Sequence, residues 1–383
     1  MKNLTIVLCL LLSSLLVGSA IAGEVEFKPY GFVRGEGYYD TESVAAGDWL
    51  LFSADDQTPG RDVGQLSFSA RHTRIGVKIS GIEYVDGVNV YGKIETDFAG
   101  GFPNSTTQAR QPLLRLRLAY VAITTDKLEY RIGQDWTIIS APFPNTAMFV
   151  VGAGLGNLWM RMPQMSLAYK MGDVKLTGSV NRAISATDKY DAFTSSDLDV
   201  NGSGEKTGLP YVMGRLDWNK KAIGISVMGH TGWEDIPDGN GKIHRMNSWS
   251  GIVALRLESG KIRLRGEYFQ GENLNAFFGG IIQGQVAMAN KVENIAAMGG
   301  WVDLTYKLTD KWSVVAGAGM DDPDDEFLGP TNRDLNEWIW GNFQYKPVKN
   351  LTMILETNYV RTTYVNEGAG DNVRIAFVTV MTF

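Results

Sequence analysis

The feature that most constrains this chain is a series of segments of about ten residues in which apolar and polar side chains alternate. In "VNVYGKIETDF", Val88, Val90, Ile94 and Phe98 fall on one face, and Asn89, Tyr91, Lys93, Glu95 and Asp97 on the other. "LLRLRLAYVAI" sets Leu114, Leu116, Leu118 and Tyr120 against Arg115 and Arg117. "KIRLRGEYFQ" sets Ile262, Leu264 and Tyr268 against Arg263, Arg265 and Glu267. The last segment puts Val373, Ile375, Phe377, Met381 and Phe383 on one side. A period of two is the strand signature. The connections alternate as well. Tight ones fall at 124–127, 219–221, 258–261, 309–311 and 346–350. Long polar ones span 40–64, 99–112, 137–163, 183–208, 232–247, 271–293, 321–334 and 362–371.

Strands with one charged and one apolar face need water on one side and something dry on the other. A closed barrel in lipid supplies both, and closure leaves no unpaired edge. Short turns at one end and long loops at the other describe an outer-membrane barrel. The expected fold is all-β: a transmembrane antiparallel β-barrel of about 16 strands with long extracellular loops. A β-sandwich array or propeller should show a repeat of fixed length, and none is visible. Tyr130, Trp218, Tyr306, Trp312, Tyr345, Tyr359 and Phe383 sit near strand ends, as aromatic girdles require.

The N-terminus reads as a secretory signal. Lys2 precedes an apolar run from Leu4 to Val17, and Ala20-Ile21-Ala22 forms the cleavage pattern. The expected organisation is therefore a signal peptide over 1–22 and a barrel over 23–383. Cys9 leaves with the signal, so neither disulfides nor thiolate metal sites are expected. Net charge is −6, and the basic residues are scattered along strands. No nucleic-acid partner is expected.

One segment breaks the pattern. In "SARHTRIGVK", Leu66, Phe68 and Ala70 share one phase, while Ile75, Val77 and Ile79 share the other. A one-residue bulge within "ARHTR" restores both sets to lipid. Ser69, Arg71, Arg74, Gly76 and Lys78 then face the lumen.

"TRIGVKISG" resembles the second-strand motif of Gram-negative general porins, with Val77 in place of the usual aromatic. "RLAYVAI" at 117–123 resembles a further motif of that superfamily, with Ala122 where Gly is common. The C-terminal Phe383 matches its habit too. "FSARHTRIGVK" and "YRIGQDW" look most like the DcaP-like porins, a subfamily associated with dicarboxylates and other organic anions. The resemblance implies a passive diffusion channel in the outer membrane and a homotrimer. It also implies a third long loop folded into each lumen. Arg74 and Arg117 match two positions of the superfamily's arginine ladder. The coiled-coil extension of some members is not expected here, because the first strand follows almost directly on the expected cleavage.

Read without the resemblance, the first strands still place basic side chains on the water face: Arg34, Arg74, Lys93, Arg115, Arg117 and Arg131. Their acidic companions are Glu36, Glu95, Asp97, Glu129 and Asp135. The third long loop, "TIISAPFPNTAMFVVGAGLGNLWMRMP", has no Asp or Glu, and its one charge is Arg161. Phe143, Met148, Phe149, Leu155, Trp159 and Met160 fill the rest. In the lumen such a loop makes the constriction basic and partly apolar. A basic ring favours anions, and an arginine fork grips carboxylate. The expected function is diffusion of small hydrophilic solutes with a preference for organic anions such as dicarboxylates. The expected partners are these solutes, outer-membrane lipid and lipopolysaccharide. The alternative is a non-conducting structural or adhesive barrel.

No enzyme is expected. Only His72, His230 and His244 exist, and neither G-x-S-x-G nor H-E-x-x-H appears. The acidic tract 321–327 lacks EF-hand spacing and reads as a solvated loop. No cofactor or metal is expected.

Overall fold

The computed structural model describes residues 24–100, 112–140, 142–184 and 203–383. The expected signal peptide, with Cys9, lies outside the described residues, as does most of the connections 99–112 and 183–208. Sixteen antiparallel strands close into a barrel. They are β1 (Glu26–Asp40), β2 (Gln65–Ser69 and Arg74–Val85), β3 (Val88–Gly100), β4 (Leu113–Thr124), β5 (Leu128–Trp136) and β6 (Arg161–Met171). Then come β7 (Val174–Asn181), β8 (Tyr211–Lys220), β9 (Ile223–Pro237), β10 (Ile243–Ser259) and β11 (Ile262–Glu272). The ring ends with β12 (Ala296–Lys307), β13 (Trp312–Pro323), β14 (Arg333–Val348), β15 (Leu351–Tyr364) and β16 (Gly368–Thr382). Pairing of Phe32 with Thr382 through to Asp40 with Arg374 closes the ring.

Alternation sets the two faces as the sequence implies. Phe68, Ile94, Leu114, Val121, Val302 and Phe377 are exposed on the outside. Such a continuous apolar exterior belongs in a bilayer. At the short-turn end, Trp312 stacks on Tyr345 with centroids 4.3 Å apart, where a girdle is needed.

The bulge in β2 forms where the phase slips. Ser69 pairs with Glu36 and Arg74 with Phe32. Four residues of β2 therefore span the gap that three of β1 cross, and Leu66, Phe68 and Ile75 all end outside. A second bulge corrects the reading of β4. Glu95 pairs with Leu118 and Thr96 with Leu116, leaving Arg117 as the extra residue. Leu114 and Leu116 face out, but Leu118 and Tyr120 are turned inward, not toward lipid. Two expected long loops also shorten: β9 and β10 run on to a turn at 238–242, and β15 and β16 to one at 365–367.

Among the described residues, three of the remaining loops pack inside the barrel. L1 (41–64) carries a hairpin, Val44–Ala46 against Trp49–Ser53. L3 (137–160) leaves β5 and returns to β6. L6 (273–295) carries two short 3-10 turns and a second hairpin. One dry cluster unites Leu50 and Leu51 of L1, Val150, Leu155 and Trp159 of L3, and Trp301, Trp338 and Trp340 of the wall. Another joins Ile139 and Leu158 of L3 and Phe277 of L6 to Met213, Met228, Ile252 and Phe269. L3 lies so close to the wall that a Cβ at Gly156, where φ is +102°, would come within 2.2 Å of the Gly300 carbonyl oxygen. Only glycine fits there.

Candidate functional site

The site is the inner wall of β1–β6 together with the loops that meet it. L3 crosses the lumen because the far wall offers acceptors for its backbone. The Asn145 N–H donates to Asp303 (2.7 Å), and the Ala147 N–H donates to Glu356 (2.7 Å). Thr146 donates its hydroxyl to Glu356 as well (2.8 Å). The Asn145 carbonyl accepts from Trp340 (3.2 Å) and Asn342 (3.1 Å). L6 is seated in the same way: the Gly280 and Ile281 N–H groups donate to Asp321 at 3.0 and 3.2 Å. The first residue of the acidic tract is therefore buried and loop-bearing rather than solvated.

The seven basic residues picked out by the sequence sort into four groups. Arg34 pairs with Glu36 (2.6 Å) and donates to the Ala147 carbonyl, so it clamps L3. Arg74, Lys93, Arg115 and Arg117 surround Glu95 and Asp97. Arg117 bridges the two at 2.9 Å each, and Arg115 grips Asp97 through both Nε (3.0 Å) and Nη2 (2.7 Å). Arg74 and Lys93 stand farther from Glu95, at 3.4 and 3.9 Å. Arg131 lies nearer the short turns, in register with Ala122. It pairs with Glu129 (2.8 Å) and Asp135.

Arg161 is the exception. Among the described residues it has no carboxylate within ion-pair distance. Its guanidinium lies against two indoles that pack edge-to-face on each other, 4.6 Å from the Trp136 centroid and 5.6 Å from that of Trp159. Trp136 also faces Arg117 at 5.6 Å. Aromatic faces attract cations without neutralising them. Seven cations thus meet five carboxylates, Glu36, Glu95, Asp97, Glu129 and Asp135.

The apolar side chains of L3 do not line a passage in the way expected. Met148, Leu155 and Trp159 are buried in the cluster shared with β12–β15. Phe149 stacks flat on His72, with centroids 3.6 Å apart. Sequence reasoning missed the acceptors Asp303, Glu356 and Asp321. Asp321 had been read as part of a solvated loop, and nothing in the sequence said which loops these acceptors would hold. It also missed L1 and L6 as lumen loops. His230 lies between the hydroxyls of Ser250 (2.6 Å) and Ser248 (2.9 Å) and packs on Phe277. Among the described residues no carboxylate orients its ring.

No family model matches this chain, and no curated protein matches it. Solved structures do. The outer membrane channel DcaP of Acinetobacter baumannii is 21% identical, with a TM-score of 0.76 over 96% of this chain and 100% of its own. OmpF of Salmonella typhi, solved with daunomycin, is 11% identical, with a TM-score of 0.61 over 95% of this chain and 100% of its own. The trimer form of in-vitro folded OmpT of Vibrio cholerae is 11% identical, with a TM-score of 0.57 over 94% and 99%. The chain therefore has the porin-type fold of outer-membrane barrels, and among these three it superposes best on DcaP.

Proposed function

We propose that this protein is an outer-membrane porin, a passive diffusion channel for small hydrophilic solutes that favours anions. The observation that carries the reading is the excess of positive charge on the β1–β6 wall, with Arg161 left without a carboxylate. Low-dielectric walls focus such a charge into the lumen. The solute class it suits is small organic anions, including dicarboxylates, whose oxygens match a guanidinium edge. The apolar exterior supports lipid and lipopolysaccharide as the surrounding partners. The trimer form of OmpT and the shared fold support a homotrimer. The deciding measurement is the reversal potential of the reconstituted protein across a KCl gradient. An anion-favouring value supports the reading, and a cation-favouring value means that Glu95 and Asp97 dominate.

A second reading has its own support. Three loops pack a dry tryptophan cluster inside the lumen, as a closed structural or adhesive barrel requires. Steady current in a planar bilayer excludes it, and zero current establishes it.

A further inference from the structure

Base faces base across this barrel, and among the described registers acid never faces acid. Lys28 pairs with Lys78 and Lys78 with Lys93, Lys170 pairs with Lys175, and Arg256 with Arg265. All of these stand in the half of their strands nearer the short turns. Like charges placed directly opposite destabilise a sheet unless something answers them. Carboxylates answer most of them: Glu26 lies 2.7 Å from Lys28, Glu95 3.9 Å from Lys93, Glu258 3.4 Å from Arg256 and Asp303 2.6 Å from Arg265. The pair Lys170–Lys175 differs. Among the described residues no carboxylate comes within ion-pair distance of either member. The nearby candidates are otherwise engaged. Asp217, in register with Lys175, pairs with Arg215 at 2.8 Å and accepts from the Ser226 hydroxyl at 2.5 Å. Glu129 pairs with Arg131 at 2.8 Å and accepts from Tyr91 at 3.2 Å. A second observation falls at the same place. A hollow of about 700 Å³ opens here between the short turns at 125–127 and 172–173, and Lys127, Lys170 and Lys175 line it. Asp126 and Asp173 lie at its edge, exposed in the turns themselves.

We infer that this hollow is a second anion station, at the short-turn mouth of the lumen, and that it holds a small dicarboxylate across Lys170 and Lys175. Two opposed ammonium groups are two point charges, and the two ends of one dicarboxylate answer both at once. The volume suits a small-molecule site. The position suits a path. Arg161 opens β6 and Lys170 stands next to its last residue. The two unanswered charges of that strand therefore lie at opposite ends of it, and an anion that leaves Arg161 meets Lys170 before the mouth. Conduction is served by several sites, each weak enough to release its ion. Exposed lysines make such a weak site. The inference deepens the anion reading and rests on it for the route by which a solute arrives.

The test is succinate binding to the full chain in a neutral detergent, followed by ligand-observed NMR, with acetate as the probe of single charge. The double variant Lys170→Gln/Lys175→Gln should weaken succinate about tenfold, the size that two exposed ion pairs give together. Acetate should weaken by no more than about threefold, because it answers one ammonium. Both lysines are exposed, so the barrel should fold unchanged. Lys170→Arg/Lys175→Arg should keep most of the succinate affinity. Lys28→Gln/Lys78→Gln removes the same charge from the same mouth and should leave succinate within about twofold of the wild type. Equal losses in the two glutamine doubles overturn the station, because a diffuse field then suffices. So does a wild type that binds no succinate, a Lys170→Gln/Lys175→Gln variant that binds it as the wild type does, or an acetate loss as large as that of succinate. The wild-type reversal potential in KCl judges the anion reading separately, because that measurement needs no succinate.

Discussion

The two sides of the lumen solve the same problem in different ways. Along β1–β6, charged side chains face one another and stay partly wetted: Arg74, Arg115 and Arg131 each keep about a quarter of their side-chain surface exposed. Along β12–β15, the interior is sealed by indoles. Trp338 stacks on Trp340 at 3.7 Å, and its Nε1–H is spent on Asn358 (3.0 Å). The charged wall can act on a passing ion, because its field reaches water. The dry wall acts only on the loops it holds. On the proposed reading, selectivity belongs to the charged wall, and most of the loop anchoring to the dry one, with Arg34 adding a clamp on L3 from β1.

The largest effect is expected on the dry side. Trp338→Ala removes a fully buried ring beneath L3, and should cost about 3–5 kcal/mol, as large-to-small aromatic substitutions do. Denaturant unfolding in detergent measures it. The reversal potential of this variant should equal that of the wild type. A shift in selectivity as large as any arginine variant produces would break the division of labour.

Next in size is Arg117→Ala on the charged wall. Arg117 is 2% exposed and holds both Glu95 and Asp97. Its removal leaves two buried carboxylates leaning on Arg74 and Arg115. Breaking a buried pair costs about 3–5 kcal/mol when nothing else compensates. With two arginines still present, the expected loss is about 2–3 kcal/mol, read by the same unfolding. Here the reversal potential should move toward cations. Lost stability without that shift would make Arg117 a structural brace only.

Arg161→Ala should separate charge from stability altogether. No carboxylate is orphaned, so unfolding should change by no more than about 1 kcal/mol. The reversal potential should still move toward cations, and Arg161→Lys should hold most of the anion preference. An unfolding loss as large as that of Arg117→Ala would show that the contact of Arg161 with the two indoles is structural, and the excess charge would then not be the source of selectivity.

The sequence carried the barrel and the charged wall well, and the dry wall poorly. Period two decides which side of a strand each residue takes, so Glu95, Asp97, Arg115 and the inward face of β11 were legible. The phase slip at "ARHTR" even exposed a bulge. The bulge beside Arg117 escaped because "LLRLRLAY" alternates without a break; Leu118 and Tyr120 are inward only because of how β4 registers on β3. Loop contacts were the least legible. "NTA" at 145–147 carries no mark of Asp303 or Glu356, which lie more than 150 residues away. Backbone donors look alike in any sequence, and only closure of the ring brings these acceptors opposite them. Arg161 was singled out as the one charge of its loop, but its contact with the indoles of Trp136 and Trp159 was not legible.

The smallest effect is expected at the rim, in the turn between β9 and β10. Asp238 accepts from the N–H groups of Asn240 and Lys242, both at 2.9 Å, and from His244 Nε2 at 2.8 Å. The hydrogen bond from His244, aided by the two backbone donors, lowers the Asp238 pKa below the ordinary carboxylate value. A depressed carboxylate pKa stabilises the folded turn above the unfolded value of about 3.9, and the effect is lost as pH falls through the depressed one. Amide exchange at Asn240 and Lys242, corrected for its intrinsic pH dependence, should therefore quicken on acidification below about pH 4. His244→Ala should move that onset to higher pH. The barrel and its selectivity should not respond. A carboxylate contact of the kind that braces the charged wall would thus govern only its own turn, because its donors all lie within that turn. A global loss of protection in this pH range, reaching β12–β15, would mean that the rim and the dry wall unfold as one unit.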